Sequence, residues 1–202
     1  MRLEFFPYPL LAGLGMLVIL LVLLRRKRSH SYLFCFSLFW LYLMFVVSQT
    51  IFPIPILEGL GMRSPAANIL SSVNLVPFNY GRLFDNRPKI FLLETFGNIL
   101  LTMPFGFGIP FLVRFKPKSF PWIVISPGFA IETAQLLFCL LAGAVYRSVD
   151  INDVLMNTIG SLLGYALFRG FAKLYLAISD HLKLKQSGLF AYISEVARYT
   201  FV

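Results

Sequence analysis

The sequence predicts an all-α integral membrane protein, a bundle of about five transmembrane helices. Of its 202 residues, 58% are hydrophobic and only 13% are charged, whereas soluble domains are about 45–50% apolar and about 25% charged. The apolar residues come in long blocks, and the mean hydropathy is +0.77. No internal repeat or low-complexity tract divides the chain. We therefore expect residues 1–202 to form a single membrane domain.

Five segments are long enough to span a membrane, because a spanning helix needs about 20 mostly apolar residues. They are residues 5–24, 32–52, 91–113, 121–142 and 154–174. In the first segment the basic cluster at 25–28 follows the apolar run, which indicates an uncleaved anchor rather than a signal peptide. The segments together predict a multi-pass protein.

Glycine and proline residues lead to specific predictions for the third and fifth segments. Pro104, Gly106 and Gly108 predict a break or kink in the third. Gly160 and Gly164 form a G-x-x-x-G pair in the fifth, a spacing typical of close helix packing. We therefore expect the fifth segment to lie against another helix.

Basic residues set the predicted orientation. The larger share of the 18 Lys and Arg residues follows the first, third and fifth segments, which places these ends in the cytoplasm under the positive-inside rule. The amino terminus is then outside and the carboxyl terminus cytoplasmic. The same distribution accounts for the net charge of +9, so nucleic acid is not an expected partner.

Two non-spanning regions carry their own predictions. Residues 53–90 form a long outer loop that is rich in turn formers but too apolar for disorder. We expect this loop to be structured on the outer membrane surface or to be re-entrant. Residues 180–202 mix leucine, aromatic and basic residues, a composition that predicts a cytoplasmic interfacial helix.

Polar residues cluster at the predicted outer ends of sequence-distant segments, except for Glu132 and Gln135, which lie near the middle of the fourth segment. A charge at the bilayer centre costs about 2.5–3.5 kcal/mol on insertion scales, so such residues need a partner, water or a ligand. Asp153, Asn157, Gly160 and Gly164 lie on one helical face by their spacing. The other members of the set are Asn74, Asn79 and Arg82 in the loop, Glu94 and Asn98, Glu132 and Gln135, and Arg147 and Asp150.

Each polar group has a structural and a functional interpretation. Glu132 either locks helices together as a neutral or arginine-bridged carboxylate, or recognises a ligand or transfers a proton in a cavity open to the outer leaflet. Asp153 is placed to cap a helix, and Asp150 is placed to pair with Arg147. The same residues therefore support both a site and a set of interhelical contacts.

The sequence predicts no metal site and no cofactor. His30 and His181 are the two histidines, so a histidine-rich zinc site is excluded. Cys35 and Cys139 lie in apolar segments, where the expected role is that of a small buried hydrophobe. The chain has no G-x-S-x-G, H-E-x-x-H, P-loop or dinucleotide-binding motif.

Four short motifs in a fixed order resemble the VanZ-like family of bacterial membrane proteins. They cover about residues 74–164 and are Asn74-Leu-Val-Pro-Phe78, Gly97-Asn98-Ile-Leu-Leu-Thr-Met-Pro-Phe-Gly106, Ile131-Glu132-Thr-Ala-Gln135, and Arg147-x-x-Asp150-x-x-Asp153-x-x-x-Asn157-x-x-Gly160-x-x-x-Gly164. The resemblance implies a bacterial plasma membrane location and a role in the cell envelope. The founding member accompanies a glycopeptide-resistance gene cluster and lowers susceptibility to teicoplanin, with little effect on vancomycin. The family supplies no reaction and no catalytic residue.

These observations predict a protein that lowers susceptibility to lipoglycopeptides by binding an amphiphile in an outward-facing polar cavity. The expected partners are membrane lipids, a lipid-linked cell-wall precursor or the antibiotic. The expected binding residues are Asn74, Arg82, Glu94, Asn98, Gln135, Arg147 and Asn157. The alternative is a membrane-embedded enzyme that uses Glu132 with Asp150 or Asp153 as acid and base on a lipid-linked envelope substrate. A third interpretation is a structural or partner-binding bundle.

Overall fold

The computed structural model describes residues 2–56, 64–79, 88–182 and 187–201. Its elements in chain order are β1 (Arg2–Leu3), α1 (Tyr8–Leu24), α2 (His30–Thr50), β2 (Ile54–Pro55), α3 (Ala66–Ser71), α4 (Pro88–Gly108), α5 (Phe120–Ala142), α6 (Ile151–His181) and α7 (Gly188–Tyr199). Short 3-10 helices follow α4 at Ile109–Phe111 and precede α5 at Pro117–Ser119. The two strands form one antiparallel pair. The predicted all-α fold is confirmed.

Four helices have the length and composition to cross a membrane, namely α2, α4 with its 3-10 extension, α5 and α6. The first helix is apolar but has 17 residues and begins at Tyr8, so it is shorter than the predicted segment. Large apolar side chains such as Leu11, Leu137 and Leu174 are exposed on the outside of the helices, as expected where a bundle faces lipid. The protein is an all-α membrane protein, and its orientation remains a prediction.

Glycines bring the backbones of α4 and α6 into direct contact. A Cβ atom added at Gly106 would overlap the Ser161 backbone, and one added at Gly160 or Gly164 would overlap a backbone carbonyl of α4. Helices approach this closely only where a side chain is missing. The predicted packing role of Gly160 and Gly164 is therefore confirmed.

The helix α4 continues through Pro104 and ends at Gly108, so it is not broken at Pro104, and a kink there remains a prediction. Gly106 serves the contact with α6 instead of interrupting the helix. The helix α5 also packs against α6, where a Cβ atom at Gly128 would lie 2.9 Å from the Val154 carbonyl oxygen. The three helices α4, α5 and α6 thus form the centre of the fold.

Side-chain hydrogen bonds to backbone carbonyls connect the helices. The Thr102 hydroxyl of α4 donates to the Asn157 carbonyl oxygen of α6 at 2.7 Å. The Tyr42 hydroxyl of α2 donates to the Leu101 carbonyl oxygen of α4 at 2.8 Å. Such bonds stabilise helix pairs in lipid, where water does not compete for the polar groups.

The carboxyl-terminal helix α7 packs against the bundle. Val196 and Ala197 of α7 are buried in a cluster with Phe168 and Ala172 of α6. The Tyr192 hydroxyl donates to the Phe111 carbonyl oxygen, and burial is the main cause that raises the pKa of Tyr192 to about 12. The last spanning helix is also longer than predicted, because it ends at His181 and not near Leu174. An interfacial position of the tail remains a prediction.

The described part of the outer loop is structured. Residues 66–71 form α3, and the Ser64 N–H donates to the Gly143 carbonyl oxygen at 2.7 Å. The loop therefore lies beside the connection between α5 and α6. Arg82 lies outside the described residues, and re-entry of the loop into the membrane remains a prediction.

Candidate functional site

Asp150 connects the amino terminus of α6 to the loop and to α5. Its carboxylate caps the helix by accepting from the Asn152 N–H at 2.8 Å. Both carboxylate oxygens also accept from the Asn74 side-chain amide, each at 3.0 Å. The Asp150 N–H in turn donates to Glu132 Oε2 at 2.8 Å. The cap is therefore Asp150 and not Asp153, because the helix begins three residues earlier than predicted.

The first motif is docked on the fourth by backbone and side-chain hydrogen bonds. The Asn74 N–H donates to the Val149 carbonyl oxygen, and the Asn74 carbonyl oxygen accepts from the Ile151 N–H, both at 2.9 Å. The Phe78 N–H donates to Asn152 Oδ1 at 2.6 Å. Phe78 has a φ of 62°, a conformation that is uncommon for a bulky residue and is held here by these contacts.

A pocket of about 540 Å³ lies at the start of α6, beside Asp150 and Asn152. It is bounded by the carboxyl-terminal end of α2, the first half of α4, Gln135 of α5 and the start of α6. Its polar lining consists of Gln49, Thr50, Glu94, Thr95, Asn98, Gln135, Arg147, Ser148, Asp150, Asn152 and Asp153. Its apolar lining includes Phe45, Phe91, Leu93, Leu100, Leu101 and Met156. The pocket therefore offers both polar groups and apolar walls.

Three carboxylates of the pocket influence one another electrostatically. Asp153 lies close enough to Asp150 and Glu94 to interact with both charges, and the Asn98 side chain lies beside its carboxylate. Arg147 is the one cation among the described lining residues. The pocket thus presents hydrogen-bond acceptors from three chain segments with one guanidinium beside them.

Arg147 does not form the ion pair with Asp150 that the sequence suggests. Its Nη2 donates to the Phe52 carbonyl oxygen, while the Asp150 carboxylate accepts from Asn74 and Asn152. Across the described ranges, the ion pairs are Arg114–Glu195 and Arg198–Asp180. Arg147 therefore joins the segment between α5 and α6 to the residues that follow α2.

Gln135 contributes an acceptor that has no partner among the described residues. Its Nε2 donates to the Thr50 carbonyl oxygen at 3.2 Å. Its Oε1 is buried without a hydrogen-bond partner in the part of the chain that is described, and the side chain is only 9% exposed. Since a buried amide oxygen normally accepts a hydrogen bond, this atom is available to a ligand or to water.

Three predicted site residues lie beside the pocket but do not line it. Asn74 binds Asp150, and Glu132, only 6% exposed, accepts from the Asp150 backbone. Asn157 is fully buried between helices, and neither of its amide atoms has a partner among the described residues. The predicted residues Glu94, Asn98, Gln135, Arg147, Asp150 and Asp153 do line the pocket.

Several lining residues were not predicted. Asn152 is 1% exposed, and its side chain accepts a hydrogen bond from the Phe78 N–H. Its position beside Asp153 within the fourth motif could have indicated that it belongs to the site. Gln49 and Thr50 bring α2 into the site. The sequence feature that could have indicated these two residues is a polar pair at the end of a mostly apolar helix. Within the described ranges, no group of three or more His, Cys, Asp and Glu residues is arranged to hold a metal ion.

Comparison with protein families supports the resemblance of the four motifs. Residues 39–173 match the model of the VanZ/LLP1 family, which is about two thirds of the chain. No curated protein and no solved structure gives a significant match. The matched region extends from α2 into α6 and contains every residue that lines the pocket. The chain therefore belongs to the VanZ/LLP1 family.

Proposed function

We propose that the protein binds an amphiphile in the 540 Å³ pocket and thereby lowers the susceptibility of a bacterial cell envelope to lipoglycopeptides such as teicoplanin. The observation that carries this proposal is the mixed lining of one pocket. Ligand sites typically combine apolar walls with a few polar groups that fix orientation. An amphiphile has the matching division into a tail and a headgroup.

The polar lining residues would hold the headgroup. Asp153, Glu94 and Oε1 of Gln135, which has no partner among the described residues, accept hydrogen bonds, and Arg147 offers a positive charge. The apolar walls from Phe45, Leu93 and the other apolar lining residues would contact an acyl chain. Teicoplanin carries a fatty acyl chain that vancomycin lacks, which fits the selectivity associated with the family. A lipid-linked cell-wall precursor has the same division and is the other candidate ligand.

An enzymatic role is the second candidate, and the pairing of Asp153 with Glu94 on the pocket favours it. General acid and base chemistry needs a carboxyl group that reaches the substrate. Glu132 fits this role less well than the sequence suggested, because it accepts the Asp150 N–H and does not line the pocket. Asp150 is engaged by Asn74 and Asn152. Asp153 is thus the stronger catalytic candidate.

Susceptibility to teicoplanin and to vancomycin in a sensitive Gram-positive host tests the proposal. The variant Asp153→Asn keeps the size and an acceptor for Asn98 but removes the charge. Asp180→Asn is the matched control, because it makes the same change on an exposed side chain near the other end of α6. We expect the wild type and the control to raise tolerance to teicoplanin alone, and Asp153→Asn to lose this effect at equal membrane abundance.

Binding of the purified protein to teicoplanin separates the two candidates. An amphiphile-binding site predicts that Asp153→Asn weakens binding together with the tolerance. An enzyme predicts that binding persists while the tolerance is lost. A wild type that changes susceptibility to neither drug would overturn the resistance role.

A further inference from the structure

A second polar cavity lies at the opposite end of the bundle. It has a volume of about 720 Å³ and is lined by the start of α2, the segment that follows α4, and α7. The helix α2 contributes Ser29 and Tyr32 to this cavity and Gln49 and Thr50 to the first pocket. Since an α-helix rises 1.5 Å per residue, its 21 residues separate the two sites by about 30 Å. That separation matches the thickness of a bilayer core.

The second cavity is predominantly basic. Lys27, Arg28 and Arg114 line it, and Glu195 is the one carboxylate among its described lining residues. Glu195 pairs with Arg114, and the guanidinium of Arg28 lies 4.8 Å from the centre of the Tyr32 ring. In the described ranges, Lys27 and Arg28 form no ion pair. Two positive charges therefore face the cavity without a compensating carboxylate.

The start of α2 adds to the positive potential. Ser29 caps the helix by accepting from the Tyr32 N–H at 3.2 Å, and the first turn contains no acidic residue. The amino-terminal end of a helix carries a partial positive charge that favours anions. The cations and the amino-terminal end of α2 therefore both make the electrostatic potential in the cavity more positive.

An apolar groove adjoins the basic cavity. It has a volume of about 310 Å³, and Phe111 lines both spaces. The groove runs between α2, α4 and α7, and its lining includes Phe34, Leu38, Phe107, Leu189 and Ile193. A soluble anion would use the basic cavity alone, whereas a lipid would use both spaces.

We propose that this composite site binds an anionic phospholipid, with the phosphate of its headgroup in the basic cavity and an acyl chain in the adjoining groove. Basic pockets between membrane helices hold anionic headgroups by charge and hydrogen bonding. The lipid would bridge α2, the end of α4 and α7. It would therefore hold the carboxyl-terminal helix against the bundle.

Thermal stability of the purified full-length protein in a neutral detergent tests the proposal. The probes are dioctanoyl phosphatidylglycerol, dioctanoyl phosphatidylcholine and inorganic phosphate. The double variant Lys27→Gln/Arg28→Gln removes the two uncompensated cations and leaves the Arg114–Glu195 pair intact. The double variant Arg25→Gln/Arg26→Gln is the control, because it changes the net charge equally in the same basic run but at residues that do not line the cavity.

We expect phosphatidylglycerol to stabilise the wild type and the control more than phosphatidylcholine does. The apparent affinity for phosphatidylglycerol should fall about tenfold or more in Lys27→Gln/Arg28→Gln and less than about threefold in the control. Equal stabilisation by both lipids, or an equal loss in both double variants, would overturn the proposal. Competition by inorganic phosphate at a concentration comparable to that of the lipid would identify a phosphate site and overturn the lipid assignment.

Leu189→Gln provides a second variant that leaves every cation in place. Leu189 lies on α7 and lines the groove, so the change introduces a polar group where the acyl chain is placed. We expect weaker stabilisation by phosphatidylglycerol. An unchanged affinity in this variant would contradict the placement of the acyl chain.

Discussion

The backbone N–H of Asp150 donates to the Glu132 carboxylate at 2.8 Å. Glu132, the acidic residue of the third motif, thus receives its hydrogen bond from the main chain of Asp150, the residue that caps α6. This contact joins α5 to the start of α6. It also accounts for a buried carboxylate that has no ion pair among the described residues.

Glu132→Leu should destabilise the protein, whereas Glu132→Gln should not. Leucine leaves the Asp150 N–H without its acceptor, and a buried unsatisfied group costs about 1–3 kcal/mol. Glutamine retains a side-chain oxygen that can accept the bond. Thermal unfolding of the two variants in detergent measures the difference, and a leucine variant as stable as the wild type would refute the role.

Asn74→Ala should release the first motif from the start of α6. The side chain of Asn74 donates to both oxygens of Asp150, and its Oδ1 accepts from the Val76 N–H at 3.1 Å. Hydrogen–deuterium exchange in residues 64–79 should therefore become faster. Asn68→Ala on the exposed face of α3 is the control, and equal protection in the two variants would contradict the prediction.

Gly164→Ala should disrupt the α4–α6 contact, because its Cβ atom would overlap the Met103 carbonyl group. Neither backbone can move without separating the helices, so we expect a loss of several kcal/mol or failure to obtain monodisperse protein. Gly170→Ala is the matched control on the same helix, since no atom lies within 4 Å of its added Cβ. That variant should be as stable as the wild type or more stable, since alanine favours a helix by about 1 kcal/mol.

Asn157→Leu should raise stability. The Asn157 side chain is fully buried, and its amide atoms have no partner in the described part of the protein. Replacing such an amide by an apolar group of similar shape removes a desolvation cost on the order of 1 kcal/mol. Thermal unfolding compared with Asn157→Ala, which leaves a cavity, tests this expectation. A leucine variant less stable than the wild type would contradict this expectation.

Hydrophobic blocks predicted the helices, and glycine spacing predicted that α6 packs closely against another helix, because both features depend on local sequence. The convergence of Glu94, Asn98, Gln135, Asp150 and Asp153 was also predictable, since polar residues in separate spans avoid lipid in the same way. The roles of Asn74 and Glu132 could not be predicted, because each role depends on a hydrogen bond between segments that are distant in sequence. The contribution of α2 was missed because Gln49 and Thr50 are adjacent in sequence and form no helical stripe.

The contact between α4 and α6 has a mechanical consequence. Because glycines place the two backbones against each other, no flexible side chains at these points can absorb a sliding movement, and the two helices move as one body. The helix α2 contacts this body partly through side-chain hydrogen bonds from Tyr42 and Gln135, which exchange more readily than packed backbone. We therefore expect a widening of the 540 Å³ pocket to move α2 and not to separate α4 from α6.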